Sequence, residues 1–233
     1  MFPSLLKNSR FGALLSACSA LSALPLLSAC AGPGAVALES LIEVVKPSTA
    51  VASAPLNPQY QYLRITANGK PALMVRGTAS PAALAQGGST WYSADKEVLE
   101  LNQGRISLAL GTPVEWRSVK AAWPAWPQTN EAVFYQRQRD VTAPVRYGLN
   151  ERMRLQKLAQ GQPRFWLQPA GKAVLPADLS WYSETMEPQQ GGGAALPVAL
   201  FGVQGSGAQA RVVYSEQCLS ATVCLSLQEW PAQ

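Results

Sequence analysis

The stretch that decides the fold is YLRITANGKPALMVRG, residues 62–77. Its Asn68-Gly69 pair lies between two short runs, and Leu63 and Ile65 alternate with polar residues in the first run. An Asn-Gly pair in such a setting is the strongest short-range signal of a β-hairpin, because both central residues of a type I′ turn need a positive φ. Alternation with a period of two indicates strands that bury one face. The stretch therefore predicts an antiparallel hairpin.

The same pattern of short runs and turn residues continues to the end of the chain. The further predicted strands lie in residues 89–95, 97–101, 105–110, 131–142, 145–156, 178–185, 195–204, 210–217 and 222–228, with one more hairpin in 163–176. The run 145–156 alternates most clearly, although a helix over 150–161 is the alternative. Regularly spaced strands predict a single, mainly β domain over residues 55–233, either an antiparallel β-sandwich or a partly closed barrel.

Upstream of the predicted β domain, the chain has the features of a secretory leader. Lys7 and Arg10 are followed by the uncharged stretch 11–29, which ends in small residues. A basic start, an apolar run and a small-residue end are typical of a signal peptide. A retained membrane helix is the alternative, since the run approaches the length of about 20 residues that a span needs. Pro25 interrupts the run, so we expect a cleaved leader over 1–29.

Leu-Ser-Ala-Cys at residues 27–30 resembles the lipobox of bacterial lipoproteins. That resemblance implies a diacylglycerol on the Cys30 thiol and cleavage before Cys30. The same four letters end at Cys18, but the apolar run before that copy is short for a leader. Several acyl chains would hold the protein firmly, because each buried methylene contributes about 0.8 kcal/mol. The residue after the cysteine is Ala31 rather than the Asp of the inner-membrane sorting rule, and this implies the outer membrane.

Residues 30–54 are expected to form a tether that contains a short helix over 38–47, ended by Pro47. Apolar residues at helical spacing within 38–47 support this helix.

The composition excludes several classes of function. The chain has no histidine, which removes the usual general base and the commonest metal ligand. The formal net charge of +5 is mild and scattered, and the densest basic patch, 146–157, is interpreted as a solvated strand face. We therefore predict no metal, no cofactor and no nucleic-acid partner.

Cys218 and Cys224 remain beyond the leader. In an oxidising compartment, an even pair this close in sequence indicates a disulfide. A metal or redox pair is the alternative, but the spacing is not C-x-x-C.

Three segments of the chain resemble lipoproteins of the YjbF/GfcB type, which are encoded with exopolysaccharide and group 4 capsule genes. The segments are residues 60–75, 90–111 and 201–217. The middle segment, with its W-x-S-A-D motif and a following G-R, is the specific part. The positions that match the family pattern are Trp91, Ser93, Ala94, Asp95, Gly104, Arg105, Ser215 and Gln217. The chain departs from the pattern at Lys96, where the family usually has Gly, and at Phe201-Gly202, where it tends to have Tyr-Trp.

This resemblance implies an outer-membrane lipoprotein on the periplasmic face that assists production or export of a surface polysaccharide. Its partners would be an outer-membrane protein of the same export system and the polysaccharide itself. The alternatives are a polysaccharide hydrolase or lyase, and an envelope-assembly scaffold unrelated to glycans. The carboxylate pairs Glu97 with Glu100 and Glu184 with Glu187 make no convincing acid–base couple, so we expect these side chains to lie on a polar surface and predict that the chain is not an enzyme.

The segment around Trp91, Asp95 and Arg105 is a candidate contact site. The indole could stack on a sugar, the carboxylate could accept from hydroxyls, and Arg105 could pair with Asp95 or with an acidic sugar. The structural alternative is a core tryptophan, a hairpin turn that Asp95 stabilises, and a Gly104 with positive φ before Arg105.

Trp123 and Trp126 lie between prolines in AAWPAWPQ, residues 121–128. A stiff, extended loop can leave both rings exposed to grip a sugar or a partner. The alternative is a loop that tucks both rings against the sheet.

Overall fold

The computed structural model describes residues 55–79, 81, 84, 87–166, 178–188 and 195–230. Within these residues the chain forms twelve strands and one 3-10 turn, Gly207–Gln209. The first six strands are β1 (Tyr62–Ala67), β2 (Lys70–Gly77), β3 (Ser89–Tyr92), β4 (Val98–Asn102), β5 (Arg105–Leu110) and β6 (Trp116–Ala121). The last six are β7 (Val133–Thr142), β8 (Val145–Leu158), β9 (Leu179–Met186), β10 (Ala199–Gln204), β11 (Arg211–Cys218) and β12 (Cys224–Trp230).

Each strand pairs antiparallel with the next one along the chain, and β1 also pairs with β12. This last pairing closes the sheet into a barrel. The prediction of a mainly β antiparallel fold is confirmed, but the sandwich is wrong, because the β1–β12 ladder removes the free edges that two separate sheets would keep. The short helix expected over 38–47 lies outside the described residues.

The hairpin that decides the fold is confirmed. Ala67 pairs with Lys70, so the turn consists of Asn68 and Gly69 alone. Their φ angles are 50° and 76°, both in the left-handed region that a type I′ turn requires.

Strand β6 was not predicted from the sequence. Its only paired residues with β5 are Ala109 and Trp116, while its ladder with β7 is longer. The segment WRSVKA does not alternate strictly, because the polar Arg117 and Ser118 are adjacent, and most of its pairing in the sheet is with β7. Of the hairpin expected in 163–176, residues 163–166 carry no strand, and the remainder lies outside the described residues.

The apolar core fills the barrel as two clusters. The larger one is contributed by β1–β6, the β5–β6 loop, the end of β7 and the β11–β12 region, and the smaller one by the rest of β7, β8–β10 and the loop 121–128. The buried members of the larger cluster are Leu63, Ile65, Met74, Trp91, Leu99, Leu101, Ile106, Ala109, Val114, Trp116, Val141, Leu219, Leu225 and Leu227. Those of the smaller cluster are Trp126, Tyr135, Met153, Leu155, Tyr182, Phe201 and Val203. Opposite walls touch, as Trp116 Nε1 donates to the Leu219 carbonyl at 2.9 Å, so side chains occupy the interior that a round barrel of this strand number would leave open.

Part of the outer surface is covered too. Tyr62, Leu73 and Trp230 form a small buried cluster on the outside of β1, β2 and β12, against which Leu56 packs. Residues 164–166 lie over β11, where Arg164 pairs with the buried Glu216 at 2.7 Å.

The alternation of buried and exposed side chains predicted for 145–156 holds only in the second half of β8. Met153 and Leu155 are buried there, whereas Val145 and Tyr147 near the start of the strand are 62% and 76% exposed. The pairing explains this difference, because β9 bonds β8 only from Met153 onward, and the start of β8 is held by β7 alone in the described residues.

The predicted disulfide is confirmed. Cys218 and Cys224 are joined by an S–S bond of 2.07 Å and are also register partners at the end of the β11–β12 hairpin.

Candidate functional site

The interior holds an ion pair that crosses the barrel. Arg105 on β5 and Glu184 on β9 approach to 2.5 Å between Nε and Oε1, with side chains that are 1% and 3% exposed. Because β5 and β9 are not neighbours in the sheet, both side chains must project inward to meet. The pair therefore marks the inside of the barrel as a polar site enclosed by an apolar wall.

Local backbone geometry turns Arg105 into the interior. Arg105 and Ile106 are both buried, against the simple alternation of a regular strand, and the β4–β5 register shifts just beyond them, between Glu100 and Leu101. The turn before Arg105 contains Gly104 with φ 77°. An added Cβ at Gly104 would lie 2.3 Å from Cβ of Val212, so the turn packs directly on β11 and only glycine fits.

Gln217 on β11 ties this turn to the opposite wall. Its Nε2 donates to the Gly104 carbonyl at 2.8 Å, and its Oε1 accepts from the Ile106 backbone N–H at 2.9 Å. The position of Arg105 is thus held by hydrogen bonds that cross the barrel.

Aromatic rings surround the Arg105 guanidinium. Its Cζ lies 4.0 Å from the centroid of the Trp126 ring, 5.5 Å from that of Trp123 and 5.7 Å from that of Phe201. Loop 121–128 brings both tryptophans inward, and Tyr182 Oη donates to the Pro127 carbonyl at 3.1 Å. Cation–π contacts of this kind favour a desolvated guanidinium and restrict its orientation.

A second buried charge cluster lies on β7 and β8. Glu151 accepts from Arg137 Nε at 2.7 Å and from Arg139 Nε at 2.8 Å, and each guanidinium makes a further ion-pair contact through Nη2. Both arginines also stack over Trp116, at 5.1 Å and 4.6 Å from Cζ to the ring centroid. Burial alone would raise the pKa of Glu151, but the hydrogen bonds and charges of Arg139 and Arg137 outweigh it and lower that pKa.

Tyr135 is buried beside these charges. Burial and, next, the Glu184 carboxylate raise the pKa of Tyr135 far above its ordinary value of 10.0, although the charges of Arg105 and Arg137 oppose the shift. Tyr135 therefore stays protonated under all ordinary conditions and offers a neutral hydroxyl rather than a phenolate.

A small cavity of about 20 Å³ adjoins the cross-barrel pair. Its lining comprises Arg105, Ile106, Trp116, Arg137, Met153, Glu184, Met186, Leu196, Pro197, Ala199, Gln217 and Cys218. Arg105 Nη2 is buried and has no hydrogen-bond partner among the described residues. Within the same part of the chain, no group of three or more acidic, cysteine or histidine side chains is arranged to hold a metal ion.

The structure brings only some of the predicted contact residues together. Arg105 and Trp126 are buried and stacked, Trp123 is half-buried beside them, and Trp91 is 6% exposed in the larger core cluster. Asp95 lies on the exposed β3–β4 turn, while the ion pair of Arg105 is with Glu184.

The residue after Asp95, where the sequence resemblance expects glycine, has an unusual backbone conformation. Lys96 has φ 68°, a left-handed conformation that glycine adopts without strain. The turn therefore holds Lys96 in a backbone conformation that suits glycine better. Cys30, the predicted lipid attachment site, lies outside the described residues.

Sequence reasoning missed the partners of Arg105 and the second charge cluster. Glu184 is only 4% exposed, so the prediction that it lies on a polar surface is wrong. The sequence signal for the second cluster was the period of two that places Arg137 and Arg139 on one face of β7. Glu151 opposes Arg137 in the β7–β8 register, which only the pairing reveals.

The fold is similar to that in the crystal structure of the hypothetical lipoprotein YmcC from Escherichia coli K12. The TM-score is 0.58 at 16% sequence identity, over 85% of this chain and 95% of that one. At this identity the likeness establishes a shared fold alone. No protein-family model matches the sequence, and a comparison with curated proteins found no match. The described residues contain no helix with the length and apolar character needed to cross a membrane.

Proposed function

We propose that this chain is a lipid-anchored accessory protein of exopolysaccharide or capsule production, placed on the periplasmic face of the outer membrane. It would act by binding, beside an outer-membrane protein of the same export system and in contact with the polysaccharide. The observation that carries the proposal is the agreement between the lipobox-like stretch ending at Cys30 and a fold shared with a hypothetical lipoprotein.

The interior site supports a binding role over a catalytic one. The buried carboxylates Glu184 and Glu151 are both paired with arginines. A general acid for glycoside cleavage needs a carboxyl group whose pKa is raised so that it holds a proton near neutral pH. The pKa of Glu151 is instead lowered.

The membrane anchor is tested first, in cells that carry the full chain. Wild type, Cys30→Ala and Cys18→Ala are labelled with a radioactive fatty acid and fractionated into membranes and soluble periplasm. We expect Cys30→Ala to lose the label and to leave the membrane fraction, whereas Cys18→Ala, the matched copy of the same four residues, keeps both. Label that persists in Cys30→Ala would refute the assignment of the anchor.

The export role is tested in the same strains. Surface polysaccharide is quantified after deletion of the gene and after complementation with wild type or Cys30→Ala. We expect the deletion to lower the amount of surface polymer and wild type alone to restore it fully. Unchanged polymer in the deletion strain would contradict the proposed role, and release of sugar from the purified polymer by the purified chain would favour an enzyme.

A further inference from the structure

We infer that residues 161–166, here called the clasp segment, hold the barrel closed from outside and determine how the β1–β12 ladder opens. The segment follows β8 and contacts the outer surface of β9, β11 and β1. While the clasp segment is bound, the β1–β12 ladder separates only when the whole barrel unfolds. When the clasp segment is released, this ladder opens locally. The inference does not rest on the proposed function.

The clasp segment begins in close contact with β9. An added Cβ at Gly161 would collide with the ring of Trp181, so the backbone lies directly on the indole. The φ angle of Gly161 is outside the left-handed region. Glycine is therefore needed at this position because the backbone approaches the ring, not because the backbone conformation is unusual.

The middle of the clasp segment is bound to β11. Glu216, which is 6% exposed, accepts from the Arg164 backbone N–H at 2.6 Å and from Arg164 Nε at 2.7 Å. The Phe165 N–H donates to Tyr214 Oη at 3.2 Å, and Tyr214 Oη donates to Glu216 at 2.8 Å. The ring of Trp166 lies 5.5 Å from that of Tyr214. Side chains of β11 therefore hold the backbone of the clasp segment as well as its arginine.

The same segment also reaches β1. Arg64 Nη1 donates to the Phe165 carbonyl at 3.1 Å. Arg64, Gln228 and Tyr214 are register partners on β1, β12 and β11, so they lie side by side in one row. The clasp segment thus bonds to both strands that flank β12, and it bridges the β1–β12 ladder on the outside of the barrel.

This bridge raises the free energy of local opening. Separation of β1 from β12 would break the bond between Arg64 and the clasp segment in addition to the ladder itself. Arg64 is only 7% exposed, and a buried guanidinium that loses an acceptor is costly. Local opening then becomes nearly as unfavourable as global unfolding, and hydrogen exchange measures the difference between these two processes.

Arg164 is the point at which the clasp segment is most easily released. Its side chain is 64% exposed, whereas that of its partner Glu216 is 7% exposed. An ion pair that faces solvent on one side is weakened by water and by salt. Loss of this pair should therefore loosen the clasp segment while the barrel stays folded.

The test is hydrogen–deuterium exchange by mass spectrometry on the full chain, purified in detergent at pH 7. Peptides from β1 and β12 report on the ladder, and peptides from β7 report on the opposite wall. Gly161→Ala pushes the clasp segment away from Trp181 without changing a group that bonds to β1 or β11, and Arg164→Gln removes the charge that pairs with Glu216. In both variants we expect the exchange rate of β1 and β12, relative to wild type, to rise at least tenfold more than that of β7.

Arg211→Gln is the matched control. Arg211 lies on β11, its side chain is 45% exposed, and it pairs with Glu229 of β12 at 3.1 Å, so this pair does not extend to β1. The control should change exchange in β1 and β12 no more than in β7.

Three results would overturn the inference. An equal rise in β1, β12 and β7 would show an ordinary loss of global stability, and unchanged exchange in both variants would show that the clasp segment does not restrain the ladder. The pattern expected for Arg164→Gln, if it also appeared in Arg211→Gln, would show that the loss of any neighbouring arginine loosens these strands.

Discussion

Replacing Glu151 by glutamine should cost the barrel a large part of its stability. The carboxylate makes four contacts of 2.6–2.8 Å with Arg137 and Arg139, and all three side chains are at most 7% exposed. Glutamine keeps one acceptor oxygen, and its amide group would face a guanidinium. Because removing one partner of a buried ion pair leaves an uncompensated charge, we expect a loss of about 3–5 kcal/mol in the free energy of unfolding.

The assay is urea unfolding at pH 7, followed by tryptophan fluorescence and analysed by linear extrapolation. Glu115→Gln is the matched control, because Glu115 also pairs with an arginine, Arg117, whose side chain is 61% exposed. Exposed pairs contribute little, and a glutamine oxygen can still accept the Gly111 N–H that Glu115 holds at 3.0 Å. The control should therefore unfold at nearly the wild-type urea concentration.

The difference between wild type and Glu151→Gln should also depend on pH. The folded-state pKa of Glu151 is depressed below its ordinary value of 4.5, so its contribution is complete above that value. It is lost as the pH falls through the folded-state pKa, where the carboxylate takes up a proton. A difference below about 1 kcal/mol at pH 7, or one that stays constant into strong acid, would refute the assignment of Glu151 as the anion that holds this cluster together.

Three further predictions concern the turn, the disulfide and the buried phenol. Gly104→Ala should cost at least about 2 kcal/mol in urea unfolding, because it adds a clash with β11 to positive-φ strain. At Gly69, where φ is 76° and an added Cβ would have nothing within 4 Å, Gly69→Ala should show the cost of backbone strain alone. Equal losses of unfolding free energy in the two variants would disprove the close contact at Gly104. Joint replacement of Cys218 and Cys224 by serine should cost about 2 kcal/mol and should make unfolding insensitive to reductant. As the pH rises above 10, wild type should lose stability relative to Tyr135→Phe, since the raised pKa of Tyr135 favours the protonated folded state; parallel pH profiles would count against this.

The local parts of the fold could be predicted because their causes are local. Asn68-Gly69 and Gln103-Gly104 form two-residue turns with positive φ, and the sequence marks both with a glycine at the second position. Most strands follow from alternation, since one face of each meets the core. No local sequence signal indicates that the barrel closes, because closure depends on the pairing of β1 with β12, which are far apart in sequence.

The candidate site could be predicted only in part for the same reason. Arg105 was a candidate from its motif, but its partner Glu184 follows 79 residues later on a strand that does not neighbour β5. No periodicity links these two positions. Arg105 and Ile106 are neighbours in sequence and are both buried, which simple alternation does not give, so even the burial of Arg105 required the three-dimensional structure.

The ladder between β1 and β12 has a consequence for how the protein opens. It joins Tyr62 to Trp230, so it can form only after nearly all of the barrel sequence has been synthesised. Contacts between residues this distant in sequence slow folding. Once the β1–β12 ladder (the seam) has formed, β1 is also paired with β2 and β12 with β11. Separating β1 from β12 would expose the unpaired backbone N–H and C=O groups of two strand edges at the same time. The amide protons of the seam should therefore exchange with solvent at the rate of whole-barrel unfolding, more slowly than those at the exposed tip of the β7–β8 hairpin.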